Sequence, residues 1–433
     1  MPALYYICKR KPAMNEKLLQ YLWNFKIFTN FEFKDINGHA IEVLDFGRWN
    51  FDSGPDFLFG KIRTQGITTA GHIELHVKSS DWIFHRHSGN PEFNNLIAHV
   101  VYTHDAEIPE FTDRGIPTIV LENHISPQHI ARYTELLTER SFISCEKQFN
   151  QSLLPFGFHE SNVLRKLDSK AAQTEELLAV SLNDYEAVLF QLLAYGFGLK
   201  VNAPIFQQLA ASLPFAIINK IRQNQLQLEA LFYGICGWLH NPTDDQMKLW
   251  KREFDFLKAK YNLPEVSVHT KFSRLRPPAF PTIRLSQLAN LYHLHQNLFS
   301  KLMTARTAED LRNIFRPVQA SEYWNTHFNM GKVSSVCTAK KLTEEMIHLV
   351  LINAVLPLRY LYFKNTKEDA ADEILRFYEQ IPAEKNKILN QFTEIGAHVA
   401  SALESQSFLY HYSQKCLPKR CLQCDIGVKI MRT

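Results

Sequence analysis

The texture of this chain changes once, near residue 160, and that change fixes the kind of fold open to it. Between Ala40 and Leu121, apolar residues come in short alternating runs: Ala40–Phe46, Phe57–Arg63, His72–Lys78, Leu96–Thr103 and Thr118–Leu121. Turn formers at Asn37-Gly38, Ser53-Gly54-Pro55, Ser88-Gly89-Asn90-Pro91 and Arg114-Gly115 separate them, so each run reads as a strand. Before them, residues 14–28 place Leu18, Leu19, Leu22, Phe25 and Ile27 on one helical stripe, with Asn15 as the cap. From Glu160 helical periods take over, at Asn183–Tyr195, Gln225–Leu239, Lys248–Tyr261, Ile283–Leu302, Thr343–Tyr362 and Ala370–Gln380.

A leading helix, several strands and then helices only is an α+β order: a mixed sheet with a flanking helix, followed by a large all-α domain. The length of 433 residues suits two or three domains. The expected boundaries are an extension over 1–13, an α/β domain over 14–150, an all-helical domain over 151–412 and a Cys-rich tail over 413–433. No fixed-period repeat is present, which excludes a regular solenoid. Met346–Phe363 is the most apolar segment, but His348, Asn353, Pro357 and Arg359 interrupt it. It reads as a buried helix, and no membrane partner is expected. Met1–Pro12 lacks the apolar run of a secretory signal, and seven cysteines, three of them in the last eighteen residues, do not form a secreted disulfide framework. The expected compartment is the cytoplasm. A net charge of +4 is compatible with a nucleic-acid partner without arguing for one.

Chemistry concentrates at Gly54-Pro55-Asp56-Phe57 and at Gly71-His72-Ile73-Glu74-Leu75-His76-Val77-Lys78. On a strand, Glu74, His76 and Lys78 share one face and Ile73, Leu75 and Val77 the other. If Phe57–Ile62 and His72–Lys78 pair as a hairpin through Thr64-Gln65-Gly66, Asp56 and Glu74 meet at one end of the sheet. Two carboxylates suit Mg²⁺ or Mn²⁺, and a base beside them can position an attacking water. The plain structural reading is a hairpin carrying solvated charges.

This pattern resembles the signature of the PD-(D/E)XK nuclease superfamily, with Pro55-Asp56 and then Glu74-Leu75-His76. The resemblance implies a restriction-endonuclease-like sheet and metal-dependent cleavage of nucleic acid. Asp56 and Glu74 would hold the ion, His76 or Lys78 would aid the water, and Glu16 would be a further acidic ligand, against its structural reading as a solvated first-turn Glu favoured by the helix dipole. His76 stands where that superfamily usually has Lys, so the site is an active variant, a changed chemistry or a decayed one. Over nearly its whole length the chain also resembles a bacterial family catalogued as domain of unknown function 2851. That likeness is carried by Gly54-Pro55-Asp56-Phe57, Ile73-Glu74-Leu75-His76, Ser80-Asp81-Trp82, His85, His87, His99-Val100-Val101, Glu229-Ala230-Leu231, Arg276-Pro277, Phe280-Pro281-Thr282-Ile283-Arg284 and Cys421-Leu422-Gln423-Cys424. Arg86 lies between two histidines where the family more often has Gly.

Two alternatives stand beside the nuclease. One is a non-catalytic nucleic-acid- or protein-binding module on a degenerate nuclease fold. The other is a His-rich metallohydrolase using His76, Asp81, His85 and His87, since imidazole is the commonest transition-metal ligand. Structural roles for these histidines, hydrogen-bonded in the sheet or its loops, weigh against it. Under the nuclease reading, His85 and His87 border the cleft, and Trp82 stacks on a base or closes the end of the sheet. Arg274, Arg276 and Arg284, around Pro277 and Pro278, would contact phosphate or tie helices together. Finally, Cys416, Cys421 and Cys424 have metal-like spacing but are one thiol short of a closed site. Cys145 is the first choice for the fourth, with Cys8 and His411 as alternatives. Zinc is one candidate; an iron–sulfur cluster is another, implied by superfamily members that clamp their nuclease domain with one. A packed cysteine cluster is the structural reading.

Overall fold

The computed structural model describes residues 14–50, 52–138, 141–263, 268–366 and 370–432. The expected extension over 1–13, with Cys8, lies outside the described residues. The chain forms two compact units, one of residues up to Pro155 together with Tyr412–Thr433, the other Phe156–His411. The architecture is mixed α/β, sheet first and helices after.

In the first unit, helix α1 (Glu16–Asn24) begins where Asn15 Oδ1 accepts from Leu18 N at 3.0 Å, satisfying an amide that a helix start leaves open. Leu18, Leu19, Tyr21, Leu22 and Trp23 are buried, and the Trp23 indole donates to Phe46 O at 2.9 Å. Glu16 and Gln20, one turn apart, share another face.

Six strands follow: β1 (Ile41–Asp45), β2 (Arg48–Trp49), β3 (Phe57–Thr64), β4 (Ile67–Lys78), β5 (Leu96–Thr103) and β6 (Thr118–Val120). Both β1 and β2 pair antiparallel with β3, β3 pairs antiparallel with β4, and β4, β5 and β6 are parallel. The β3–β4 hairpin closes on Gln65-Gly66, with φ of 48° and 79°, a mirror-image turn whose twist matches paired strands. Strand β4 changes partner along its length. Its residues from Ile67 to Ile73 pair with β3, and from His72 on it pairs on the other side with β5, Glu74 opposite His99 and Leu75 opposite Val100. Gly71 sits at the changeover, where a Cβ would come within 2.4 Å of Asn95 O. Only glycine allows that approach.

The alternation along β4 sorts its side chains. Ile73 and Leu75 join Ala98, Val100 and the apolar face of α1 in one core. Glu74, His76 and His99 point the other way. There the short helices α2 (Asp81–Phe84) and α3 (Pro109–Arg114) supply Trp82 and Phe111, which cluster with Phe93, Leu96, Ile108 and Ile116. Helix α4 (Pro127–Thr138) adds Ile130, Tyr133 and Leu136 to the main core. The C-terminal residues are part of that core as well. Leu422 and Met431 are buried in it, and the Arg432 guanidinium lies 4.7 Å from the centre of the Phe25 ring. The segment set apart as a tail thus belongs to the sheet unit.

The second unit is helical apart from a small hairpin, His327–Asn329 with Lys332–Val333. The period over Ile283–Leu302 is divided, Pro281–Leu294 and Leu298–Thr304 being separate helices. Glu344–Thr366 meets the length and hydropathy of a membrane span, but 78% of its apolar window is buried within the unit. Pro357 lacks an amide proton, and a wider π turn over Leu351–Val355 directly precedes its helix.

Candidate functional site

Asp56 ends the loop before β3, and past Ile73 the edge of β4 away from β5 has no strand among the described residues to take its amides. Asp56 supplies the missing partner. Its Oδ2 accepts from Leu75 N at 3.0 Å, while its own N donates to Glu74 Oε2 at 2.9 Å. Gln20 from α1 donates to Asp56 Oδ1 at 2.7 Å. The two expected carboxylates therefore converge, locked through each other's backbone. Burial raises the pKa of both, and each is raised further by neighbouring acids, Asp56 by Glu16 and Glu74 by Asp56. Glu16 is itself raised by burial, with His85 lowering it and Asp81 raising it.

Glu74 Oε1 is turned toward imidazoles, 3.4 Å from His87 Nε2 and 3.7 Å from His76 Nε2. His76 is fully buried, with Nε2 3.1 Å from His85 Nδ1 and Nδ1 2.9 Å from His99 Nε2. Among the described residues, one nitrogen from each of His76, His85 and His87 lies within 4.8 Å of the others, a group able to hold a metal ion. Burial, then the adjacent imidazoles, hold His76 down to about 2 and His99 to about 3; His87 is lowered by burial and by His85. His76 is thus a neutral ring rather than the cation that a Lys would be. Local backbone explains how two loop histidines reach one point. Arg86, between them, has φ of 60°, a left-handed turn that reverses the chain just past α2.

The other expected residues fall differently. Lys78 is exposed and lies 3.8 Å from Asp105, past the end of the buried stretch, because β4 reaches solvent there. Asp81 Oδ2 accepts from Lys78 N at 2.9 Å. Trp82 does not offer a stacking face. It is fully buried, with its indole on Ser88 Oγ at 3.0 Å and rings of Phe93 and Phe111 around it. Arg284 is not a surface phosphate ligand either. It is buried in its helix and donates to Gln287 Oε1 at 2.9 Å. Arg274 and Arg276 remain exposed.

One contributor, Gln20, escaped the sequence reading: it was hidden as a polar residue in an apolar helix, its one signal being its place a turn after Glu16. His99 is the buried, hydrogen-bonded strand histidine that its apolar surroundings in the sequence suggest, but its place beside His76 needed the β4–β5 register, which no local pattern supplies.

The four thiols Cys145, Cys416, Cys421 and Cys424 also lie in the first unit. Burial raises all four, Cys145 to about 12. Cys145 is pushed up further by Cys424 and Cys421, and Cys416 by all three others, but among the described residues the group with metal-ligand spacing is that of the histidines, not the thiols. His411 is instead in the helical unit, its ring 5.0 Å from that of Phe158.

The family described as Protein of unknown function (DUF2851) matches residues 16–387. No curated protein matches the chain, and no solved structure does.

Proposed function

We propose that this chain, which belongs to the DUF2851 family of proteins of unknown function, is a metal-dependent hydrolase of phosphodiester bonds in nucleic acid. The observation that carries the reading is the crossed pair Asp56–Glu74, with His76 following on the same face of β4. A restriction-endonuclease-like assignment of the sheet is part of the same proposal. It rests on an acid before one strand, a Glu-x-His on the next and α1 alongside.

The donor set fits a divalent ion, Mg²⁺ or Mn²⁺ being the expectation. Two carboxylates buried side by side repel each other unless one takes up a proton or a cation lies between them. When bound, such an ion supplies Lewis-acid charge and lowers the pKa of a water. The chain does the rest. Gln20 and Leu75 N fix the Asp56 carboxylate, Asp56 N fixes Glu74 Oε2, and Glu74 Oε1 is left directed into the site. His76 presents a neutral ring held by His99. Of the three arginines expected to meet phosphate, Arg274 and Arg276 are exposed, in the helical unit. Incubating the full chain with labelled DNA and RNA and either ion tests the reading. Cleavage lost in Asp56→Asn supports it, and cleavage unchanged in that variant removes it.

A zinc ion or iron–sulfur cluster on Cys145, Cys416, Cys421 and Cys424 belongs to the proposal as a structural element. It would tie the C-terminal segment to the sheet unit. A cytoplasmic setting goes with it, since such thiols stay reduced there. One observation favours the second reading, a non-catalytic binding module: Lys78 is turned to Asp105, so the site lacks the cation that the signature expects.

A further inference from the structure

Three imidazoles on one side of the site, His76, His85 and His87, have the mutual spacing of ligands around a single ion, and Glu74 Oε1 lies beside two of them. A tetrahedral zinc with bonds near 2.0–2.1 Å has ligand–ligand edges of about 3.4 Å, and an octahedral ion has edges of about 3.0 Å. His76 Nε2 to His85 Nδ1 is 3.1 Å, His87 Nε2 to Glu74 Oε1 is 3.4 Å and His76 Nε2 to Glu74 Oε1 is 3.7 Å. Three imidazoles are a donor set for first-row transition ions, whereas Mg²⁺ prefers oxygen and keeps its waters. We propose that His76, His85 and His87 bind one divalent transition ion of the zinc–manganese–iron class, with the Glu74 carboxylate beside His76 and His87 to balance its charge. The proposal rests on the hydrolase reading only for its consequence, since it makes that ion the site's resident metal.

The surroundings suit such an ion. His99 Nε2, 2.9 Å from His76 Nδ1, is the outer partner that a metal-bound imidazole normally has. Trp82 and Phe93 wall one side, their ring centres 5.2 Å and 4.3 Å from that of His87. His85, by contrast, lies at the exposed rim, which leaves a direction for water or substrate to approach. Without an ion the same rings can form a hydrogen-bonded chain, His85–His76–His99. With one bound, the His76 proton must sit on Nδ1, where His99 accepts it, and Nε2 must be bare.

Untagged full-length protein, stripped with a chelator, is titrated with Co²⁺ and then challenged with Zn²⁺ and with excess Mg²⁺. The proposal expects one Co²⁺ per chain, visible bands of nitrogen ligation, displacement by Zn²⁺ and none by Mg²⁺. His85→Gln and His87→Gln should each weaken binding by at least the ~10-fold that losing even an outer partner costs, with circular dichroism unchanged. Failure to bind Co²⁺, or binding indifferent to both substitutions in folded protein, overturns it. The two readings fail separately. A site that binds Co²⁺ as expected in a protein that cleaves nothing removes the hydrolase alone. Mg²⁺-supported cleavage indifferent to His85→Gln and His87→Gln, with no Co²⁺ bound, removes the transition-ion site alone.

Discussion

Asp56 and Glu74 hold one another through each other's backbone, Asp56 N on Glu74 Oε2 at 2.9 Å and Leu75 N on Asp56 Oδ2 at 3.0 Å. An isostere that keeps these hydrogen bonds but removes the charge separates catalysis from folding. Asp56→Asn and Glu74→Gln should melt within a few degrees of wild type while nuclease rates fall about 10²–10³-fold. Thermal melts and a gel-based cleavage assay on the same preparations check this.

Lys78 should be dispensable. It is exposed and faces Asp105, so Lys78→Ala should change the cleavage rate by less than about two-fold, as surface ion pairs contribute little. A rate fall as large as that of Glu74→Gln would return Lys78 to the site.

Arg86→Gly should stabilise the protein. A side chain at φ of 60° costs about 1–2 kcal/mol that glycine does not carry, and part of that gain is offset by glycine's freedom when unfolded. A gain of about 1 kcal/mol in chemical denaturation, with Co²⁺ affinity unchanged, is the expected result.

Glu229 sits buried in the helical unit, accepting from the Ser286 hydroxyl, and burial raises its pKa to about 7. Its folded value lies above the unfolded one near 4.5. Its contribution is therefore whole below pH 4.5 and is lost as pH rises through 7. Glu229→Gln should be more stable than wild type at pH 8, by an order of 2–3 kcal/mol, and the difference should shrink toward pH 5. Denaturation of both proteins at the two pH values measures it.

Removing whatever the four thiols hold should loosen the C-terminal segment. Cys421→Ser, or chelation, is expected to lower the melting temperature by several degrees and to abolish bound zinc or iron in elemental analysis. Wild-type melting together with metal-free protein would leave a packed thiol cluster.

What could be read from residues alone divides along physical lines. Asp56 and Glu74 were legible because a two-residue period and a turn are local facts. The strand positions from Phe57 to Leu121 followed for the same reason. Trp82 was open to two readings, since a Trp after a strand looks the same whether it faces solvent or Phe111. Arg284 was likewise open to two readings, because an arginine near prolines does not reveal which side of its helix is covered. The approach of His85 and His87 to His76 depends on a left-handed Arg86, a conformation that an arginine codon does not advertise. The position of His99 depends on strand register.

Leu422 and Met431 lie in the same core as Leu18 and Leu22, and that has a consequence for synthesis. A ribosome finishes the strands of the sheet unit early, then makes the whole helical unit before it reaches the residues that close the first core. Domains fold largely in the order they emerge, so the helical unit can mature while its predecessor still waits. A message cut short before Leu422 would yield a chain with intact helices and a sheet lacking its last wedge. Translation must therefore pass Leu422 and Met431 before the histidines and acids of the first unit are held in their final frame.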